Sequence, residues 1–326
     1  MLRLLLLILP LLAGLAQAAP QSVLQRPIEL DTGNGTLRGT LLRPKTDQPV
    51  PVALIIAGSG PTDRDGNNPL GGRNDSLKKL AQLLARNGIA SVRYDKRGIA
   101  ASQDAGTDER QLSIELYASD AAAWGRRLKQ DARFSQLILI GHSEGALIAS
   151  LATDSAGADA LVSIAGSARP IDQLLRAQLQ DRLPPPLLAQ SEVLLTSLRA
   201  GRQVAEVPEP LEVLFRPSVQ PYLISLFRQD PAQAFGRLRI PALILQGSHD
   251  IQVRVADAEL LKAARPDAHL AIIDGMNHML RIVPMDMEQQ LASYRDPHLP
   301  LARELGERIL DFIRALPASR NAGNSR

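Results

Sequence analysis

The sequence predicts an α/β protein: a mostly parallel sheet with helices on both faces and a helical cap inserted over one edge. Three observations carry this. Short apolar runs alternate with helical patterns from 50 to 165 and again from 242 to 316, the rhythm of parallel strands joined by crossover helices. Between about 167 and 237 that rhythm stops, and Leu, Gln, Arg and Ala dominate without a legible strand. In the first half, the apolar run 137–140 passes through Gly141-His142-Ser143-Glu144-Gly145 into a helical pattern.

Taken in order, residues 1–18 read as an export signal. Arg3 gives a positive start, residues 4–15 are apolar, and Ala16-Gln17-Ala18 is an A-x-A cleavage pattern. The apolar run is shorter than the ~20 residues a spanning helix needs. The expectation is a periplasmic or secreted chain with no stable membrane insertion once the signal is cleaved. The sequence contains no cysteine. Disulfides, a thiol nucleophile and a lipidated cysteine are therefore excluded, and folding needs no oxidant.

Residues 28–30 and 37–42 flank the turn signal Thr32-Gly33-Asn34-Gly35, so a hairpin is expected there. Residues 50–57 form an apolar strand that leads into a polar loop, 58–69, rich in turn formers. Asn74 or Asp75 caps a helix through Asn87, with Gly88 as its stop. Strand 89–94, helix 112–130, the strand and helix around Ser143, and strand 160–165 follow. In 167–237, Pro184-Pro185-Pro186, Pro208, Pro210, Pro217, Pro221 and Pro231 cut the chain into short helices. Strand 242–246, helix 253–264, strand 269–273 and an amphipathic helix 301–316 complete the pattern, with a polar tail from Pro317. The division is a core of 19–166 and 238–326 and a cap of 167–237.

Composition narrows the function. Hydrophobic residues make up 45% of 326, enough for a large core, while aromatics at 3% make that core aliphatic. So few aromatics argue against base-stacking platforms. The formal charge of +3 is spread along the chain, so there is no nucleic-acid footprint. No metal-ligand spacing and no internal repeat is present.

The chemistry centres on Ser143. A strand that turns sharply into a helix puts the middle residue of G-x-S-x-G on a strained tip. Gly141 and Gly145 lack the Cβ atoms that would clash at the crossing, and the Glu144 N–H can stabilise an oxyanion. A serine hydroxyl needs a base, and the base needs a carboxylate to hold its tautomer. Reactive residues of such sheets sit at the C-terminal ends of strands. Of five histidines, His278 lies in the loop after the last strand and is the expected base. His142 is expected to point away from its neighbour Ser143. His249, His269 and His298 are placed less well. Asp250 follows the preceding strand and gives the order serine, acid, histidine; an N-cap to the next helix is its competing role. Asp154 and Asp159 are weaker rivals, since they precede a strand. The loop Ala57-Gly58-Ser59-Gly60 offers the second oxyanion N–H, with Ser59 as the donor. Asp63-Arg64-Asp65 and Asp95-Lys96-Arg97 leave strand ends on the same edge and read first as a structural charge network.

These motifs resemble the α/β-hydrolase superfamily, and within it bacterial esterases of the serine-aminopeptidase-like or dienelactone-hydrolase-like group. The residues that carry the likeness are Gly58 to Asp65, Tyr94-Asp95-Lys96-Arg97-Gly98 with Ser102, Gly141 to Gly145, Gln246 to Asp250, Asn277-His278, and the stretch from Tyr294 to Leu301. The likeness covers most of 28–315 and is weakest in the cap. The loop carries Ala57-Gly58 where many relatives have His-Gly. The resemblance implies an eight-stranded sheet, a cofactor-free Ser143–His278–Asp250 triad, and oxyanion donors from Ser59 and Glu144. The expected substrate is a small-molecule ester, of short to medium acyl chain. A peptidase or amidase with the same triad, or a non-catalytic binding protein on the same fold, are the alternatives. Leu211, Val213, Leu214 and Phe215 are either acyl-channel lining or the cap's own core.

Overall fold

The computed structural model describes residues 22–106, 108–180 and 182–317. The export signal read at 1–18 and the polar tail past Pro317 lie outside them. Eight strands form one sheet in the order β1-β2-β4-β3-β5-β6-β7-β8. Strands β1 (Val23–Asp31) and β2 (Thr36–Pro44) form the expected antiparallel hairpin. Gly33 takes a positive φ of 81° in the turn, which costs a residue without Cβ little.

Strand β2 also pairs antiparallel with β4 (Ala90–Tyr94). From there every pairing is parallel, through β3 (Val50–Ile56), β5 (Phe134–His142), β6 (Ala160–Ile164), β7 (Ala242–Gly247) and β8 (His269–Ile273). The central strands are apolar throughout because both faces are covered. Val52, Leu54, Ile56, Leu137 and Leu139 face one core, and Ala53, Ile55, Ile138 and Ile140 face the other.

Helices α1 (Ser76–Arg86), α2 (Ile114–Lys129) and α3 (Glu144–Ala156) follow the strands as the sequence predicts. Ser113 caps α2 by accepting from the Leu116 N–H. At α1, Asp75 is left-handed at φ 53°, and Asn74 Oδ1 accepts from the Ser76 N–H instead. Among the described residues, five helices fill the cap stretch: α4 (Ile171–Gln180), α5 (Pro185–Arg199), α6 (Glu209–Phe215), α7 (Gln220–Phe227) and α8 (Pro231–Gly236). Prolines stand in the first turn of α5 to α8. There the missing N–H costs nothing, so they start these helices as well as separating them. After β7 come α9 (Val255–Ala264), α10 (Met287–Ser293) and α11 (Arg303–Ala315). Helices α2 and α3 pack on one face with the cap, and α1 and α11 on the other. Among the described residues no helix is long and apolar enough to cross a membrane.

Candidate active site

Strand β5 ends at His142 and α3 begins at Glu144, so Ser143 carries the whole change of direction. Its φ is 56° and its ψ −124°, a region that costs a side-chain-bearing residue of order 1–3 kcal/mol. The crossing tolerates only glycine on either side. A Cβ at Gly141 would lie 2.2 Å from the Gly145 carbonyl oxygen, and one at Gly145 would lie 2.2 Å from that of Ile56. The Ser143 N–H donates to the Ile164 carbonyl at 2.9 Å, tying the turn to β6.

His278 is presented by the loop after β8. The Asn277 N–H donates to the Arg281 carbonyl at 2.8 Å, and the Met279 and Arg281 N–H groups both donate to Asn277 Oδ1 at 3.1 Å. Asn277 Nδ2 donates to Ser293 Oγ on α10 at 2.7 Å. This buried amide fixes the turn that carries His278. Gly247 at the end of β7 lets the loop pass, since a Cβ there would lie 1.9 Å from the Met276 carbonyl oxygen.

His278 Nδ1 donates to Asp250 Oδ2 at 2.7 Å, and both side chains are buried. Gln246 Nε2 donates to the same carboxylate oxygen at 3.2 Å, while Oδ1 accepts from the Gln252 and Val253 N–H groups at 2.8 and 2.9 Å. Asp250 thus holds the imidazole and the turn ahead of α9 together, but it does not cap that helix, whose N-cap position is Arg254. Burial pushes its carboxyl up. The His278 charge and hydrogen bond, with the Val253 and Gln252 N–H groups, outweigh this and hold it below the ordinary carboxylate range. With Nδ1 donating to a carboxylate, His278 keeps its free lone pair on Nε2.

His142 does not point away from the site. Its ring lies 4.8 Å from the His278 ring, and its Nε2 donates to the His278 carbonyl at 2.9 Å. A carbonyl can only accept, so the proton is on Nε2. Burial first, and His278 second, push this imidazole down to about 3, so it stays neutral. It links the serine turn to the loop that carries the other histidine.

Two cavities meet at Ser143. One, of about 390 Å³, is lined by Ser143, His142, His278, Tyr294 and the polar loop from Gly58 to Leu77. The other, of about 550 Å³, is lined by Ser59, Ser143, Glu144 and Leu147 and runs under apolar side chains of α4, α6 and α7. Ser59 lines both, and Gly58 passes so close that a Cβ on it would lie 3.2 Å from Ser143 Cβ. Of the four cap residues singled out in sequence, Val213 and Leu214 line the second cavity, whereas Leu211 and Phe215 are buried in the cap's core.

The remaining candidates serve elsewhere. Asp159 pairs with Lys129 at 2.8 Å and takes the Leu137 N–H at the far end of β5. His249 Nδ1 donates to the Val283 carbonyl at 2.6 Å, and His269 packs edge-on to Phe312. The charged strand ends are held in ion pairs: Arg64 with Asp95 at 2.7 Å between two loops, Arg93 of β4 with Asp65 at 2.8 Å, and Arg97 with Asp120 of α2 at 2.6 Å. From sequence, Gln246 and Asn277 stood out only as motif residues without a role, and the inward ring of His142 was missed. The role of Asn277 depends on Ser293, 16 residues away on α10, a helix too short to give a periodic signal.

The family model described as serine aminopeptidase, S33 (Hydrolase_4), matches residues 71–282, more than half of the chain. The esterase EstD of Thermotoga maritima is 32% identical over 265 residues, covering 80% of this chain; the chain spans 61% of that protein's length. Among solved structures, Est1E from Butyrivibrio proteoclasticus with ferulic acid bound superposes with a TM-score of 0.57 at 16% identity, over 88% of this chain and 99% of that one. The α/β hydrolase GrgF from Penicillium sp. sh18 gives 0.56 at 20%, over 90% and 98%. At these identities the structural likeness is one of fold.

Proposed function

The chain belongs to the serine aminopeptidase S33 (Hydrolase_4) family of α/β-hydrolases, and from that premise we propose that it hydrolyses carboxylic esters through an acyl-enzyme on Ser143. The observation that carries the reading is the strained Ser143 sharing a cleft with His278, whose Nδ1 is tied to Asp250 at 2.7 Å. His278 Nε2 takes the Ser143 proton as Oγ attacks the ester carbonyl. The Ser59 and Glu144 N–H groups receive the oxyanion. The imidazolium gives its proton to the leaving alcohol, and water activated by His278 then releases the acid. Asp250 orients His278 and stabilises its charge throughout. The esterase name of the 32%-identical relative supports ester over amide.

The family description favours aminopeptidase activity as the second reading, and the site weighs against it. An aminopeptidase must hold a substrate ammonium, which calls for an unpaired carboxylate. Among the described residues lining the two cavities the one carboxylate is Glu144, and Lys96 lies 3.4 Å from it.

The leaving oxygen must reach His278, so the alcohol occupies the cleft that His278 lines. The acyl chain then takes the apolar cavity under α4, α6 and α7, which His278 does not line. That cavity suits short to medium chains. Residues 1–18 are proposed to direct export and to be removed, so that protein from the periplasm or medium begins at Ala19.

The test is hydrolysis of p-nitrophenyl esters from acetate to palmitate, beside aminoacyl anilides, with Ser143→Ala alongside. The account expects serine-dependent ester turnover with an optimum at short or medium chain. Anilide preference would favour the peptidase, and ester turnover unchanged in Ser143→Ala would remove the mechanism.

A further inference from the structure

We infer that Lys96 is a positioning residue that sets the oxyanion hole, by fixing the peptide that carries one donor against the residue that carries the other. The inference rests on the esterase reading above and adds a residue to it.

Lys96 follows β4 by two positions and is 1% exposed. It lines neither cavity, so it does not touch substrate. An ammonium taken out of water is costly unless its protons are used. Here Nζ donates to the Gly58 carbonyl, lies 3.4 Å from Glu144 Oε1 and sits 5.2 Å from the centre of the Tyr117 ring. Its partners are therefore the two segments that carry the oxyanion donors.

The Gly58 carbonyl and the Ser59 N–H belong to one peptide unit. That unit is planar and trans, so its C=O and N–H point in opposite directions. With the carbonyl turned inward to the buried ammonium, the Ser59 N–H must face outward, towards the cleft that Ser59 lines. The cation also draws electron density through the peptide and strengthens that N–H as a donor. The other donor is the backbone N–H of Glu144, whose carboxylate anchors the same ammonium. One buried pair thus sets the distance between the loop after β3 and the first turn of α3. A donor aimed at developing charge helps only if it is already in place.

The test compares wild type, Lys96→Met and the double variant Lys96→Met/Glu144→Gln, which leaves no buried carboxylate unpaired. Readouts are kcat and KM on a p-nitrophenyl ester, and the melting temperature. The expected result is a kcat at least about tenfold lower in both variants, up to the ~10²–10³ that loss of a whole oxyanion donor costs, with KM within about threefold of wild type. A folded double variant with wild-type kcat overturns the inference, and so does a loss confined to KM or melting temperature. A structure of the wild-type protein with a fluorophosphonate on Ser143 gives an answer even if both variants misfold. The phosphoryl oxygen is expected on the Ser59 and Glu144 N–H groups with Lys96 on the Gly58 carbonyl; an oxygen away from Ser59 overturns it. A wild type that turns over no ester contradicts the esterase reading, whereas ester turnover indifferent to Lys96 contradicts this inference alone.

Discussion

In the proposed mechanism the chemistry of His278 depends on Asp250. Its carboxylate selects the tautomer with the proton on Nδ1; an amide in its place would select the wrong one. Asp250→Asn is therefore expected to lower kcat by roughly 10³–10⁴ with the fold retained, measured on the same ester. His142 makes a different prediction, on stability. Its imidazole is neutral in the folded protein down to about 3, whereas in the unfolded chain it takes a proton near 6.5. The unfolded state thus binds more protons between those values, and stability falls as pH drops from about 6.5 towards 3. Asp250, held below the ordinary carboxylate range, adds stability above that range that is lost as pH falls through its lowered value. Denaturation midpoints at pH 7 and pH 5 should separate more for wild type than for His142→Gln. Equal separation would contradict a buried neutral His142. At this scale the places of Ser143, Asp250 and His278 just past strand ends were legible, because the apolar runs before them mark where those strands stop. The inward ring of His142 was not, because its direction is set by the His278 carbonyl, 136 positions away in sequence.

The serine turn leaves no room for a side chain at its glycines. A Cβ at Gly145 would meet the Ile56 and Ala57 carbonyl oxygens at 2.2 and 2.8 Å, both of them backbone. Gly145→Ala is expected to cost more than the ~1–3 kcal/mol typical of overpacking, read from urea denaturation. The cap helices set chain length in this account. Leu223 of α7 is buried and lines the apolar cavity. Leu223→Trp is expected to shift the acyl optimum to shorter chains while acetate turnover stays within about threefold. An unchanged optimum would place the acyl chain elsewhere. The sequence showed the cap as helical, since its prolines punctuate a strandless stretch. It did not show α10, whose seven residues give too short a periodic signal, nor which cap residues face the cavity.

At the scale of the whole molecule, the parallel register from β4 to β8 brings three strand ends to one edge of the sheet. Ser143 follows β5, Asp250 follows β7 and His278 follows β8, at the edge where reactive groups of such sheets gather. The alternation of strand and helix made this architecture legible. The pairing of the loops was not, because it rests on ion pairs such as Arg64 with Asp95 that join residues 31 apart, and charge order alone does not assign partners. Stoichiometric labelling with a fluorophosphonate, followed by intact and peptide mass, asks whether Ser143 is the nucleophile. One equivalent is expected to bind, located on Ser143, with ester turnover lost in proportion. A label on another residue, or turnover that survives full labelling of Ser143, would contradict it.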